Sequence, residues 1–273
     1  MDLATLLFWT QFPVFALSVV WLARPTALRR LASTRWTRRR RICGALLAAM
    51  LPADLLLTSI DSEFSRAVGR DFARVLAVVE GPIPNAVQAW TPFPLTVAAV
   101  LVYTVGFPAF IAAALFRALG EEDGLVVRRL AVALLANYAL ALPFYFFVPV
   151  SEVHVVRPDV RHLIAETSRS LAEFHRPSSG IDNCFPSLHT SITITMLLSL
   201  PVLRMRHVLF GGFIVFTTLY LGIHWSADVA AGLLFGILCR RVGESVVARW
   251  WSETTPAVAF ASPANSETGR RTA

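Results

Sequence analysis

The chain is predicted to be all-α, a polytopic membrane helix bundle of about seven transmembrane helices with its polar site at the extracytoplasmic rim. Three observations carry that prediction. First, 55% of the 273 residues are hydrophobic and only 16% are charged, with a mean hydropathy of +0.59. A soluble domain of this length carries about a quarter charged residues, so the excess apolar surface needs a bilayer to face. Second, seven stretches approach the roughly 17–25 mostly apolar residues that a spanning helix requires: 3–23, 42–60, 93–116, 130–149, 187–203, 208–223 and 226–242. Third, eight arginines (Arg24, Arg29, Arg30, Arg35, Arg38, Arg39, Arg40 and Arg41) fall between the first two stretches, where a positive-inside loop belongs.

Each stretch has its own justification. The first lacks a basic start and a small-residue cleavage site, so it reads as a retained span and not as a secretory signal. The second carries Asp54 two residues after Pro52; a carboxylate in mid-span is costly, and a structural role is expected for it. The third is the clearest, because no Asp, Glu, Lys or Arg occurs from Gly81 through Phe116. Alternation from the Arg-rich loop places 61–92, 150–186 and the turn around His224 outside the cytoplasm. It leaves 117–129, 204–207 and the C-terminal part inside, in agreement with Arg128, Arg129, Arg204, Arg206, Arg240 and Arg241. Residues 61–92 mix charge with Pro82, Pro84 and Trp90 and are expected along the outer interface. Ile164, Leu171 and Phe174 recur at helical spacing beside Arg161, Glu166 and Arg169, which predicts a short amphipathic helix over 161–174. Trp250 and Trp251 read as interface anchors. A membrane-embedded unit over 1–251 is thus followed by a polar tail over 252–273, rich in Ser, Thr and Pro and expected to be disordered.

Charge and cysteine usage narrow the function classes. All 25 basic residues are Arg, and the formal net charge is +7. Their concentration in predicted cytoplasmic loops points to membrane topology and away from nucleic acid, for which no signature is present. Cys43, Cys184 and Cys239 are widely scattered and show no metal-binding spacing. The topology separates Cys184 from the other two, so no disulfide is expected. There is no glycine-rich phosphate loop.

Five of the six histidines (His154, His162, His175, His189 and His224) fall on the extracytoplasmic side, and two sit in informative contexts. Asn183-Cys184-Phe185-Pro186-Ser187-Leu188-His189 opens the fifth span. Pro186 suits a first helical turn, and the N–H groups of that turn with the Ser187 hydroxyl make a phosphate site. His189 then lies where it can exchange protons with a bound phosphate ester. The second context is His224-Trp225-Ser226-Ala227-Asp228, entering the last span. In a helix the i, i+4 spacing puts imidazole and carboxylate on one face, and a carboxylate holding one ring nitrogen makes the other a better nucleophile or base. The ligand types of His189, His224 and Asp228 also suit zinc, but a metal-free site is expected.

Phe185-Pro186-Ser187-Leu188-His189, followed after one hairpin by His224-x-x-x-Asp228-x-x-x-Gly232, resembles the second and third signatures of the type 2 phosphatidic acid phosphatase superfamily. The Phe-Pro-Ser-Leu-His form is similar to the branch that holds inositol-phosphorylceramide synthases, with sphingomyelin synthases more distant. The resemblance covers about 145–240. It implies a cofactor-free double displacement on a lipid phosphate within the bilayer, and membrane lipids are expected as partners. His224 would become a phosphohistidine, Asp228 would orient it, and His189 would protonate the leaving alkoxide. Arg157-Pro158 resembles the Arg-Pro that ends the first signature, and its guanidinium would clamp phosphate oxygens. The chain departs from the pattern at three places. Val150 stands where the first signature has Lys, Thr217-Thr218 where the third has Ser-Arg, and Leu188 where the second has Gly. Those losses favour the synthase-like branch and leave Arg161 or Arg176 as alternative clamps. Three functions follow: a lipid-phosphate phosphatase at the cell membrane, a phospho-headgroup transferase, or, from another class, a non-catalytic transporter or assembly factor. Clustering of the His/Asp set at one rim, instead of along a midplane path, speaks against the last.

Overall fold

The computed structural model of the chain describes residues 3–34, 37–38, 41–48, 60, 63–64, 70–121, 124–175, 181–200 and 202–251. Among these the fold is all-helical, without a β-strand; an isolated parallel bridge joins Val150 to Asn183. Most of the expected 42–60 span, with Pro52 and Asp54, lies outside the described residues, as do Arg176 and the polar tail 252–273.

The helices named here are α1 (Leu3–Ala23), α2 (Pro25–Ser33), α3 (Ala73–Glu80), α4 (Ile83–Val87), α5 (Phe93–Leu119), α6 (Leu125–Phe147), α7 (Val153–Val156), α8 (Leu163–Thr167), α9 (Arg169–His175), α10 (Leu188–Ser199), α11 (Met205–Tyr220) and α12 (Ser226–Trp251). Two of them, α5 and α6, are long and apolar enough to cross a membrane. The expected spans at 187–203 and 208–223 form shorter apolar helices of 12 and 16 residues. At 1.5 Å per residue these are about 18 and 24 Å long, less than a bilayer's apolar thickness. α10 stops because Leu200 precedes Pro201 and is driven to an extended conformation, φ −66° and ψ 130°. α12 overruns its expected end at 242 and continues to Trp251. The amphipathic helix expected over 161–174 is broken in two at Ser168, whose backbone is extended. Ile164 and Leu171 are buried as the spacing requires, but Phe174 points outward.

The interior forms where α6, α10 and α12 pack on one another and α1 lies along α5. Leu22, Phe110, Leu130, Met196 and Ile214 fill it. A polar seam crosses the three-helix contact. Asn137 Nδ2 donates to Thr195 Oγ1 at 3.0 Å, Ser191 donates to Asn137 Oδ1, and Thr195 donates to the Gly236 carbonyl at 3.2 Å. Such bonds between apolar helices contribute about 0.6 kcal/mol each and set register. The two ends of the bundle differ in chemistry. At one, Arg117, Arg206 and His207 gather around the last carbonyls of α1, His207 Nε2 lying 3.2 Å from the Leu22 carbonyl. His189 and His224 lie at the other, at the start of α10 and beyond the end of α11.

Candidate functional site

Backbone hydrogen bonds assemble the site from three segments distant in sequence. The strap between α6 and α10 folds back on the loop before α10: Val150 N donates to Asp182 O at 2.8 Å, Cys184 N to Val150 O at 3.1 Å and Glu152 N to Ile181 O at 2.8 Å. The turn between α11 and α12 docks on the same strap, with Val153 N on Ile223 O at 3.2 Å and His154 N on Gly222 O at 3.0 Å. Gly222 is required there, because its φ is +77° and a Cβ would stand 2.5 Å from the Arg161 carbonyl. Trp225, fully buried, pins the turn further by donating its indole N–H to Ser151 O at 2.9 Å.

These contacts bring His189 and His224 together, their ring centroids 5.8 Å apart and inclined at 61°. Tyr103 stacks on His189 at 4.5 Å and Phe107 packs on it at 4.6 Å. Both belong to α5, whose π-helical segment Val102–Gly106 holds Tyr103; such segments recur at functional sites because they re-aim a side chain within a helix. His224 Nδ1 lies 3.5 Å from Asp228 Oδ2, close for charge interaction but long for a hydrogen bond. Asp228 Oδ2 is held instead by the Trp225 N–H at 2.8 Å. Among the described residues, His224 Nδ1, Asp228 Oδ1 and Thr190 Oγ1 are buried without a hydrogen-bond partner. Three orphaned polar atoms within one site are a costly arrangement that folding alone does not require.

Ser187 and Pro186 lie beside this pair but differ from the sequence reading. The helix starts at Leu188, so Pro186 precedes the N-cap and is not in the first turn. Its carbonyl accepts from the Tyr145 hydroxyl at 3.0 Å. Ser187 is the N-cap: its hydroxyl accepts from Thr190 N–H at 3.3 Å, and its own N–H donates to the Asp228 carbonyl at 3.2 Å. The residue is wholly buried, so it joins α10 to α12 and is not an open ligand. Arg157 is half-buried with all three guanidinium nitrogens engaged, two on Asp159 (2.8 and 2.6 Å) and one on the Gly81 carbonyl. That pairing holds the Asp159 carboxyl below its ordinary range. Arg161 is exposed and turned to Glu166 and Thr91. Two of the three departures also acquire a physical reason. Val150 is buried against Cys184 and Trp225, where a Lys would be stranded. Thr217 and Thr218 bond back to the Ile214 and Val215 carbonyls of their own helix.

Several residues around the site escaped the sequence reading. Cys184 places its sulfur with donor atoms of His224 and Asp228, all within 4.8 Å of one another. Its distance in sequence from both conceals this, and the donor group thus contains Cys184 where His189 had been considered. Burial pushes the Cys184 thiol well up, which works against the thiolate that a metal would need. Glu80, also unforeseen, is buried and accepts from Ser226 N–H at 3.0 Å and Ala227 N–H at 2.7 Å. It therefore caps α12 from a distance and offsets the partial positive charge of that helix start. Glu80→Ala is expected to lower stability by about 2–3 kcal/mol, since two charge-assisted bonds go and two N–H groups are left unmet. A detergent-solubilised unfolding titration measures this, and an unchanged midpoint would show that Glu80 does not hold the start of α12.

No family model, curated protein or solved structure matches the chain.

What the arrangement can do therefore follows from its own chemistry. Two imidazoles stand close enough to share one small polar group, and a buried carboxylate lies behind one of them. Aromatic side chains wall the other. A nucleophile or base next to a separate proton donor is the minimum set for displacement at phosphorus or carbon.

Proposed function

We propose that this chain is a polytopic membrane enzyme that cleaves a lipid-linked phosphate ester through a phosphohistidine at His224. The observation that carries the proposal is the meeting of His189 and His224 at 5.8 Å, with Asp228 behind the second ring. His224 turns Nδ1 to Asp228, which leaves Nε2 to attack. Its lone pair forms the P–N bond, the ester P–O bond breaks, and the proton of His189 goes to the departing alkoxide. Water then attacks phosphorus, gives its proton to His189, and the P–N bond breaks. Arg157 is the guanidinium assigned to the phosphoryl oxygens, exchanging Asp159 for substrate.

Outward-facing apolar side chains support the membrane reading. Leu17, Leu209 and Leu234 on α1, α11 and α12 are 66–71% exposed, and in water each would be a liability. We read α1, α10, α11 and α12, with α5 and α6 and the 42–60 stretch, as the seven-helix membrane unit. The His189/His224 end then faces away from the cytoplasm, opposite Arg117, Arg204 and Arg206. A Ser170→Cys reporter in a Cys43→Ser background is expected to react with an impermeant thiol reagent in intact cells. Labelling only after lysis would invert the topology.

The departures from the family pattern favour a second reading, in which a lipid alcohol replaces water as acceptor. One experiment tests both. Purified protein is given labelled phosphatidate or isoprenyl phosphate, with and without alcohol acceptors, and products are separated by thin-layer chromatography. Inorganic phosphate as product supports the phosphatase, label passed to the alcohol supports the transferase, and unchanged lipid in both arms overturns the proposal.

A further inference from the structure

A second group of donors lies on the strap, and phosphoryl transfer does not use it. Glu152 is the N-cap of α7, His154 stands in that turn, and His162 is the residue before α8. One carboxylate oxygen and one nitrogen from each ring lie within 4.8 Å of one another. Glu152 Oε2 is 3.2 Å from His154 Nδ1. Two ligands about 2.0–2.1 Å from one tetrahedral ion stand about 3.3 Å apart, so this pair already has the required separation. The Gly222 carbonyl is 3.3 Å from the same nitrogen. The His162 ring stacks on His154 at 4.0 Å and 15°, so a rotation of that ring brings its nitrogen into line.

A cavity of about 340 Å³ opens beside the group, lined by the three residues with Tyr103, Ile164 and Arg169. It leaves room for the ring to turn and for a water as fourth ligand. A simple Glu–His hydrogen bond accounts for His154 but not for a second imidazole stacked in the same pocket. The other donor group, Cys184 with His224 and Asp228, is wholly buried and belongs to the site already described.

We propose that Glu152, His154 and His162 form a binding site for a divalent transition-metal ion, zinc by ligand type, that cross-links α7 to the start of α8 within the strap on which the turn carrying His224 docks. The ion is structural. It holds the site's wall, and the reaction does not pass through it.

The test reads binding without turnover, so its outcome is independent of the proposed activity. Metal-free, full-length protein in detergent is titrated with zinc against a competing indicator, and the zinc shell is examined by X-ray absorption. One equivalent is expected to bind, with only nitrogen and oxygen in the shell and an imidazole signature. His162→Ala and Glu152→Gln are expected to weaken binding at least 100-fold, while His224→Ala leaves it unchanged. Zinc is expected to raise the melting temperature of the wild type and of His224→Ala, and not that of His162→Ala or Glu152→Gln. Absence of binding at micromolar zinc overturns the proposal. So does a sulfur ligand, or binding lost in His224→Ala, since either moves the metal to Cys184. Where a variant fails to fold, the wild-type ligand shell decides.

Discussion

Replacing His224 by Ala is expected to abolish turnover and protein-bound phosphate together, whatever the leaving group. No phosphoenzyme forms without the nucleophile, and a better leaving group cannot compensate. His189→Ala is expected to behave differently. In the proposed mechanism its proton neutralises a poor leaving group such as a glycerol alkoxide, whereas p-nitrophenolate departs unaided. That variant should fail on lipid esters yet release a stoichiometric burst from a p-nitrophenyl ester. It is then expected to stall as trapped phosphohistidine, because the proposed mechanism also has His189 activate the acceptor. Asp228→Asn should resemble a weakened His224 variant with residual activity, since Asp228 lies 3.5 Å from Nδ1 and its proposed role is to orient the ring without reacting. Rapid-quench kinetics with acid-labile phosphate counted on protein measure all three. A burst from His224→Ala but not from His189→Ala would reverse the two roles.

Gly232→Ala is expected to reduce turnover by about 100-fold while leaving the chain folded. A Cβ at Gly232 would stand 2.7 Å from the Ser187 carbonyl and 2.9 Å from Thr190 Cβ. Neither neighbour can yield easily, since one is backbone at a helix start and the other is buried. α12 must move away from α10; Asp228 rides on α12 and His224 on the turn that leads into it, while His189 rides on α10. Overpacking of this kind costs about 1–3 kcal/mol, which a stable bundle survives. The displacement is spent where it matters most, across the gap between the two imidazoles. Gly212→Ala serves as the control, because no described residue lies within 4 Å of its Cβ position. Equal activity for the two variants would show that close approach of α10 and α12 does not set the site's geometry.

Much of the helical framework could be read along the chain because apolar runs register burial one helix at a time. The uncharged stretch from Gly81 to Phe116 predicted α5, and the i, i+4 spacing of His224 and Asp228 predicted that they meet, although His224 lies in the turn two residues before α12 and not in the helix. Where helices end was less legible. Ser168 breaks the amphipathic segment, and α10 stops before Pro201. Both are local backbone decisions that a hydrophobic pattern averages over. Ser187 was legible as a residue of the site, but its role as the cap joining α10 to α12 depends on a carbonyl 41 positions away.

By itself the sequence determined an all-helical chain with an apolar surplus, and it singled out His189, His224 and Asp228 for chemistry. These are properties of composition and short-range spacing, which need no knowledge of neighbours in space. Tertiary structure alone decided the rest. It stacked Tyr103 and Phe107 on His189, set Cys184 beside Asp228, capped α12 with Glu80, and gathered Glu152, His154 and His162 at one cavity. The physical reason is that each of these contacts closes a loop in the chain. Its partners are chosen by strap-to-turn hydrogen bonds and by the close approach at Gly222 and Gly232, which leave no periodic trace in the order of residues.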